Sequence, residues 1–287
     1  MKNLFTLAIV AITLVFSGTV IAQTKSPKLE NSLLWEVSGN GLSKPSYLYG
    51  TIHMICSGDY FLSDKTKKAF DASEKLVLEV NFNDPKELTD MQQMAMGKEP
   101  LSKKLTPEQL SKLDALLKKS GGITVKQVDA FSLMSVMSLI ISKNFGCTDM
   151  KFYEMDFIES ANKRKEQIEG LETIKSQFKS FEDAYSDSEM IAMLEESDAD
   201  LMNEMVVAYK QEKLEDLYKT ITGENVMNDK AKKYMLYERN LNWVKVLPEM
   251  MKKESLFVAV GSGHLAGDLG LINLLKKAGY TVKPIMK

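Results

Sequence analysis

The sequence predicts an α/β protein with a central β-sheet built from both ends of the mature chain and a large helical insertion capping the site. Three observations predict it. Short apolar runs of strand character lie near the two chain ends, at 33–38, 46–53, 75–82, 256–260 and 280–285. From about Leu101 to Lys253 the apolar spacing is almost wholly helical. The chain has two histidines in 287 residues, and each closes a Gly-x-x-His motif directly after an apolar run: Gly50-Thr-Ile-His53 and Gly261-Ser-Gly-His264. An imidazole leaving the carboxyl end of a strand faces the crevice where open α/β sheets bind ligands. The glycines are expected to let the backbone turn sharply there.

The first 22 residues read as a secretory signal peptide. Lys2 is their only charge, an apolar stretch runs from Leu4 to Phe16, and Val20-Ile-Ala22 offers a cleavage point before Gln23. Export to the periplasm or the extracellular space follows, with an uncleaved N-terminal anchor as the alternative. The stretch is short for a membrane span, and the segment from Leu256 is broken by Gly261, Gly263, His264 and Asp268, so no stable membrane anchor is expected. Residues 23–287 form one expected domain. The formal charge of −2 offers no electrostatic footprint for nucleic acid.

The runs 33–38 and 46–53 read as paired neighbours joined through Gly39-Asn-Gly41. A helix starts near Ser63, and the run 75–82 follows. In that run Leu76, Leu78, Val80 and Phe82 share one face while Val77, Glu79 and Asn81 share the other. Within the helical region, from about 101 to 253, Thr106-Pro107-Glu-Gln109 reads as a capped start and Gly121-Gly122 as the stop. Thr124 opens a further helix through Phe131, Met134 and Met137, and the last helix of the region runs from about Asn228 to Lys253. The final unit is a helix with Asp268 as N-cap and Gly279 past its end, leading into 280–285. The methionines at helical spacing, Met91, Met94 and Met96 and then Met190, Met193, Met202 and Met205, read as adaptable core packing.

Glu79 is the third informative residue. A carboxylate in an apolar strand is rarely buried without a partner: a metal ion, an arginine or the histidines. The alternative is an edge strand with Glu79 on its wet face. Two neutral imidazoles and a carboxylate, His53, His264 and Glu79, suit a divalent metal such as Zn²⁺, Mn²⁺ or Co²⁺, although the helix-borne His-Glu-x-x-His motif is absent. Such an ion would activate water for hydrolysis. Arg239, in Tyr237-Glu-Arg-Asn-Leu-Asn-Trp243, is placed to hold a substrate carboxylate or to steady Glu79, or else forms a surface ion pair. Glu172 and Gln177 either contact the site or cap a helix. A serine nucleophile lacks its elbow, since position 260 is Val. Cys56 and Cys147 are free to pair in an oxidising compartment, which would tie the His53 loop to the helical cap.

Five motifs, in order across residues 33–286, resemble the TraB/GumN family, which includes the Tiki-type metalloproteases: Gly50-Thr-Ile-His53, Leu78-Glu79, Gly170-Leu-Glu-Thr with Gln177, Arg239-Asn240-x-x-Trp243, and Val260-Gly-Ser-Gly-His264-Leu. The resemblance implies an α/β fold of the erythromycin-esterase/haem-binding-protein kind, with paired Gly-x-x-His elements around a central sheet. For the Tiki branch it implies divalent-metal-dependent peptide hydrolysis. Carried over by position, His53, Glu79 and His264 form the metal and catalytic centre, with Arg239 in support. Arg239, Asn240, Glu172 and Gln177 are the expected substrate contacts. The leading expectation is an exported metal-dependent peptidase acting on a peptide or small-molecule substrate. The alternative is a protein that sequesters a peptide or haem without turnover.

Overall fold

The computed structural model describes residues 29–286 except Asp198; the leader and its cleavage point lie outside the described residues. Among the described residues eight strands are formed: β1 (Leu34–Ser38), β2 (Ser46–Thr51), β3 (Met54–Cys56), β4 (Lys75–Val80), β5 (Met150–Phe152), β6 (Gln167–Glu172), β7 (Leu256–Gly261) and β8 (Thr281–Pro284). Six make one sheet in the order β6-β4-β7-β2-β1-β8. The pairs β6–β4, β4–β7 and β7–β2 are parallel, whereas β1 is antiparallel to both β2 and β8. The sheet is therefore drawn from both ends of the chain, and the protein is α/β.

The sequence explains the positions of these strands. β4 (Lys-Leu-Val-Leu-Glu-Val) and β7 (Leu-Phe-Val-Ala-Val-Gly) are buried along their whole lengths, as interior strands of a sheet covered on both faces require. Gly39, Asn40 and Gly41 all take positive φ (79°, 47° and 83°), so the β1–β2 connection turns where left-handed backbone is cheapest. The capping box at Thr106 forms, with Gln109 Oε1 accepting the Thr106 N–H at 2.8 Å, and Gly122 ends the helix Pro107–Gly121 in the left-handed region. Ser63 and Asn228 likewise cap helices at Asp64–Asp71 and Asp229–Lys232.

The region 101–253 departs from an all-helical reading in three ways. It contributes β6 to one sheet edge, and β5, which pairs with β3 in a separate two-stranded ribbon. The helix opened at Thr124 stops after Val125–Val128, and a new one, capped by Ser132, runs Leu133–Asn144. At that break Asp129 turns its side chain to the Ser102 N–H and hydroxyl (2.7 and 2.9 Å). The last helix is continuous in direction but passes through a π-helical turn, Lys233–Tyr237, before Glu238–Lys253. Outside that region, Asp268 is not the cap of the final helix. The Gly270 N–H first closes a turn on the Gly267 carbonyl (3.0 Å), so the helix Leu271–Lys277 begins after Gly270.

Two apolar clusters hold the molecule. One surrounds the sheet, with Trp35, Tyr49, Phe257, Trp243 and Leu247; the other lies within the helical cap, with Leu113, Leu117, Ile140 and Leu194. The site lies at the carboxyl ends of four adjacent parallel strands, beneath the cap.

Candidate active site

In spatial order across the sheet, β6, β4, β7 and β2 deliver Glu172, Glu79, His264 and His53 at or just past their carboxyl ends. Glu79 is the hub. It is 6% exposed on an interior strand, so the wet-edge alternative does not apply. Its Oε1 accepts the Gly261 N–H at 2.7 Å and lies 3.9 Å from His53 Nε2 and 3.8 Å from His264 Nε2. Its Oε2 accepts from Arg239 Nη2 and from Gln177 Nε2 (3.1 Å). The Arg239 guanidinium spans both carboxylates: Nε and Nη2 donate to Glu172, and Nη2 also reaches Glu79. Gln177 repeats that bridge with a second bond to Glu172 (3.2 Å). Arg239 follows directly on the π-helical turn and donates back through Nη1 to the Met235 carbonyl (2.9 Å). Glu172 and Gln177 therefore belong to this network rather than to a helix cap, and Arg239 is a buried group rather than a surface one.

The two histidines are held in different ways. His264 is 4% exposed on a short 3₁₀ turn, packed on Trp243 with ring centroids 4.5 Å apart. Arg239 Nη1 lies 3.0 Å from its Nε2. A guanidinium only donates, so Nε2 accepts and the proton of a neutral ring sits on Nδ1. Nδ1 is 2.7 Å from Asn240 Oδ1, and Asn240 Nδ2 donates to the His264 and Leu269 carbonyls. Burial and the neighbouring guanidinium push this imidazole down to about 3, so it stays neutral at working pH.

His53 is the open member. Its side chain is 55% exposed, and its backbone holds φ 59°, unusual for a residue with a side chain. Its Nδ1 pairs with Glu154 Oε1 at 2.8 Å, and the same oxygen accepts the Thr51 hydroxyl at 2.7 Å. Surrounding protein opposes the charged ring, but the Glu154 carboxylate, by charge and hydrogen bond, and then Glu79 outweigh it and raise His53 to about 9. For Glu79, burial opposes ionisation, yet Arg239 and then the other donors around it hold the carboxyl well below the usual range. Glu172 goes the other way: burial outweighs Arg239, and the Glu79 charge adds to the rise.

The glycines of the two motifs serve in an unexpected way. Gly261 has φ −53°, open to any residue. A Cβ there would lie 2.8 Å from His53 Nε2 and 3.3 Å from Glu79 Oε1. One on Gly50 would lie 3.1 Å from Ser262 Cα. Each motif's glycine thus makes room for the other motif, and the sharp backbone conformation falls on His53 instead.

Glu154 was not legible in the sequence. It reaches His53 because β3 and β5 pair (Met54 with Phe152), the Tyr153 N–H donates to the His53 carbonyl (3.0 Å), and a disulfide joins Cys56 to Cys147. The cysteine spacing was its only sequence trace.

A divalent ion requires free donor lone pairs, and in this arrangement His264 has none to offer. The donor types suit Zn²⁺, Mn²⁺ or Co²⁺, and His53 Nε2 and Glu79 Oε1 each keep a lone pair, but Arg239 lies against the single lone pair of His264 Nε2. Among the described residues no group of three or more His, Cys, Asp and Glu side chains is placed to hold a metal. The three residues expected from the sequence are brought together, with the His53 and His264 Nε2 atoms 3.9 and 3.8 Å from Glu79 Oε1, and Arg239 would have to leave His264 Nε2 for all three to ligate.

The sequence model of the TraB/PrgY/gumN family matches residues 33–284. The chain belongs to the TraB/PrgY/gumN family. It is also similar to a protein named Metalloprotease TIKI1 of Xenopus tropicalis, 23% identical over 317 residues, which span 88% of this chain and 61% of that protein. No solved structure matches it. Among the described residues no helix is long and apolar enough to cross a membrane.

Proposed function

We propose that this member of the TraB/PrgY/gumN family is a hydrolase that cleaves peptide bonds at the crevice beside His53. The observation carrying the reading is a half-exposed imidazole, fixed at Nδ1 by Glu154, whose Nε2 lies 3.9 Å from a buried Glu79 oxygen. Glu154 accepts the Nδ1 proton, so neutral His53 presents its Nε2 lone pair to the crevice. A water there donates one hydrogen to Nε2 and the other to Glu79 Oε1. His53 takes the first proton as the water oxygen attacks a carbonyl, and returns that proton to the departing amine. The rise of His53 to about 9 makes it a strong base, at the cost of being mostly protonated near pH 7. His264 and Asn240 hold Arg239, and Arg239 holds Glu79 ionised, so these three position the chemistry.

The similarity to a protein named a metalloprotease supports peptide hydrolysis and would supply a divalent ion. When bound, such an ion polarises a carbonyl and lowers the pKa of water. The steps above are carried by the chain's own residues, because Arg239 covers His264 Nε2, one of the three expected ligand atoms. The disulfide and the leader-like first 22 residues support action outside the cytoplasm. With His264 buried and engaged, ligation of haem iron by both histidines has no support in this arrangement.

A peptide-library digestion with wild type and His53→Ala, with and without chelator, tests the reading. We expect multiple-turnover cleavage that survives chelation and falls by about 10²–10⁴-fold in the variant. Equal cleavage by His53→Ala would overturn the hydrolase mechanism. A strict need for added Mn²⁺, Co²⁺ or Zn²⁺ would overturn the metal-free steps.

A further inference from the structure

The helix Ile174–Ala184 brings Gln177 to Glu79 at its first turn, and its next turn forms one wall of an apolar groove in the cap. The groove, about 320 Å³, lies between that helix, the loop after Pro85–Ala95 and the start of Leu133–Asn144. Phe178, Phe181, Met94, Met96, Phe131 and Met134 line it. Met96 and Phe131 face each other in an isolated antiparallel bridge at its mouth and remain 47% and 41% exposed. Large apolar side chains left this open on a folded cap mark an interaction surface. Part of the methionine set that the sequence assigns to core packing thus lines a groove.

We infer that this groove is a specificity subsite that takes an apolar side chain of an extended peptide substrate, about five residues from the bond being cleaved. The inference rests on the hydrolase reading above and adds the substrate class. Three observations select the occupant. Gln177 and Phe181 are four residues apart on one helix face, about 6 Å along the axis, and His53 follows a strand two places beyond that of Glu79, about 10 Å further, so an extended peptide spans the distance in roughly five residues at ~3.3 Å each. The volume is at the low end of about 300–1,000 Å³ for ligand sites, which suits one or two side chains. The charges lining the groove balance, Lys98 and Lys104 against Glu99 and Glu182, and Lys104 is further paired with Asp187. The groove therefore offers no net charge to an acidic or basic residue. Its methionines are adaptable, so leucine, methionine and phenylalanine should all be accepted.

The test uses two fluorogenic peptides that differ only in having Leu or Ser five residues from the cleaved bond, with wild type and Phe131→Arg. The groove lies past the helical turn that holds Gln177, and Phe131 is largely exposed, so the substitution can be made without emptying a core. Wild type should prefer the Leu peptide by about tenfold in kcat/KM, and the ratio should fall towards one in the variant. The same ratio in both proteins would overturn the subsite, as would cleavage by wild type with no preference. Anisotropy titrations of the same labelled peptides separate this from a failure of the hydrolase reading. If nothing is cleaved, tenfold weaker binding of the Leu peptide by Phe131→Arg still supports the groove, and equal binding overturns it. Sedimentation of wild type as a dimer, with Phe131→Arg as a monomer, would show that a second copy covers the groove and would also overturn it.

Discussion

Replacing Arg239 with Met keeps much of its length and apolar stem but removes the cation on which the site depends. The guanidinium lies between Glu79 and Glu172, whose side chains are 7% and 10% exposed, and it also engages His264 and the Met235 carbonyl. Removing one partner of a buried ion pair costs about 3–5 kcal/mol, because the other charge is left desolvated. Gln177 still donates to both carboxylates and Gly261 to one, so the lower end, about 3 kcal/mol at pH 8, is expected. The pH dependence has a definite sign. In wild type Arg239 is the largest of the groups that keep Glu79 ionised despite burial; in the variant burial is opposed only by the remaining donors and the carboxyl pKa rises. The penalty is therefore full above that raised pKa and shrinks as pH falls and the carboxyls take up protons. Urea unfolding at pH 8 and pH 5, with unchanged m-values, measures it. Adding Glu79→Gln to the variant should recover part of the loss, since the stranded charge is gone. A loss below about 1 kcal/mol at pH 8, or one that grows on acidification, would refute the view of Arg239 as the resident cation.

With His53 raised to about 9, log kcat/KM should rise with unit slope up to about pH 9; a plateau already at pH 6.5 would mean that Glu154 does not hold its proton. Gly261→Ala places a methyl 2.8 Å from His53 Nε2, so kcat/KM should drop by about 10², and wild-type kinetics in that variant would contradict the packing. His264 is neutral when folded and pushed down to about 3, so its contribution to stability is complete above about 6.5 and drains away between 6.5 and 3 at up to roughly 1.4 kcal/mol per pH unit; His264→Gln should flatten that part of the acid-unfolding curve. Reducing the Cys56–Cys147 bridge, which spans 91 residues, should cost about 4 kcal/mol, read from urea midpoints with and without reductant, and two thiols reactive before reduction would exclude the bridge.

Much of the sheet is legible because burial writes itself into β4 and β7 as continuous apolar runs. Glu79 stands out for the same reason, as a carboxylate in a place where water cannot solvate it. β6 hides because Gln167-Ile-Glu-Gly-Leu-Glu172 is an edge strand with three exposed residues and three half-buried ones, and no apolar run survives. Phe131 reads as a core helix residue by spacing, yet the helix breaks beside it and leaves the ring in the open. Glu154 is invisible because its partner is set by pairing between two three-residue strands about a hundred positions apart. The glycines mislead in mechanism rather than in place: the motifs meet where expected, but Gly50 and Gly261 are small for each other's sake.

Strand order also dictates when the centre can exist during folding. β2 and β4 emerge early in synthesis, but the strand between them is β7, more than 170 residues later. Until it arrives, β2 and β4 have no mutual hydrogen bonds, Glu79 lacks the Gly261 N–H, and His53 has no neighbouring motif. Contacts so distant in sequence pay loop-closure entropy before they return any stability, which makes them slow. The Cys56–Cys147 pair is complete much earlier, and closing it shortens the loop that β7 must later span. Oxidation of the pair would thus act as a clock, setting His53 and Glu154 face to face before the rest of the centre has been delivered.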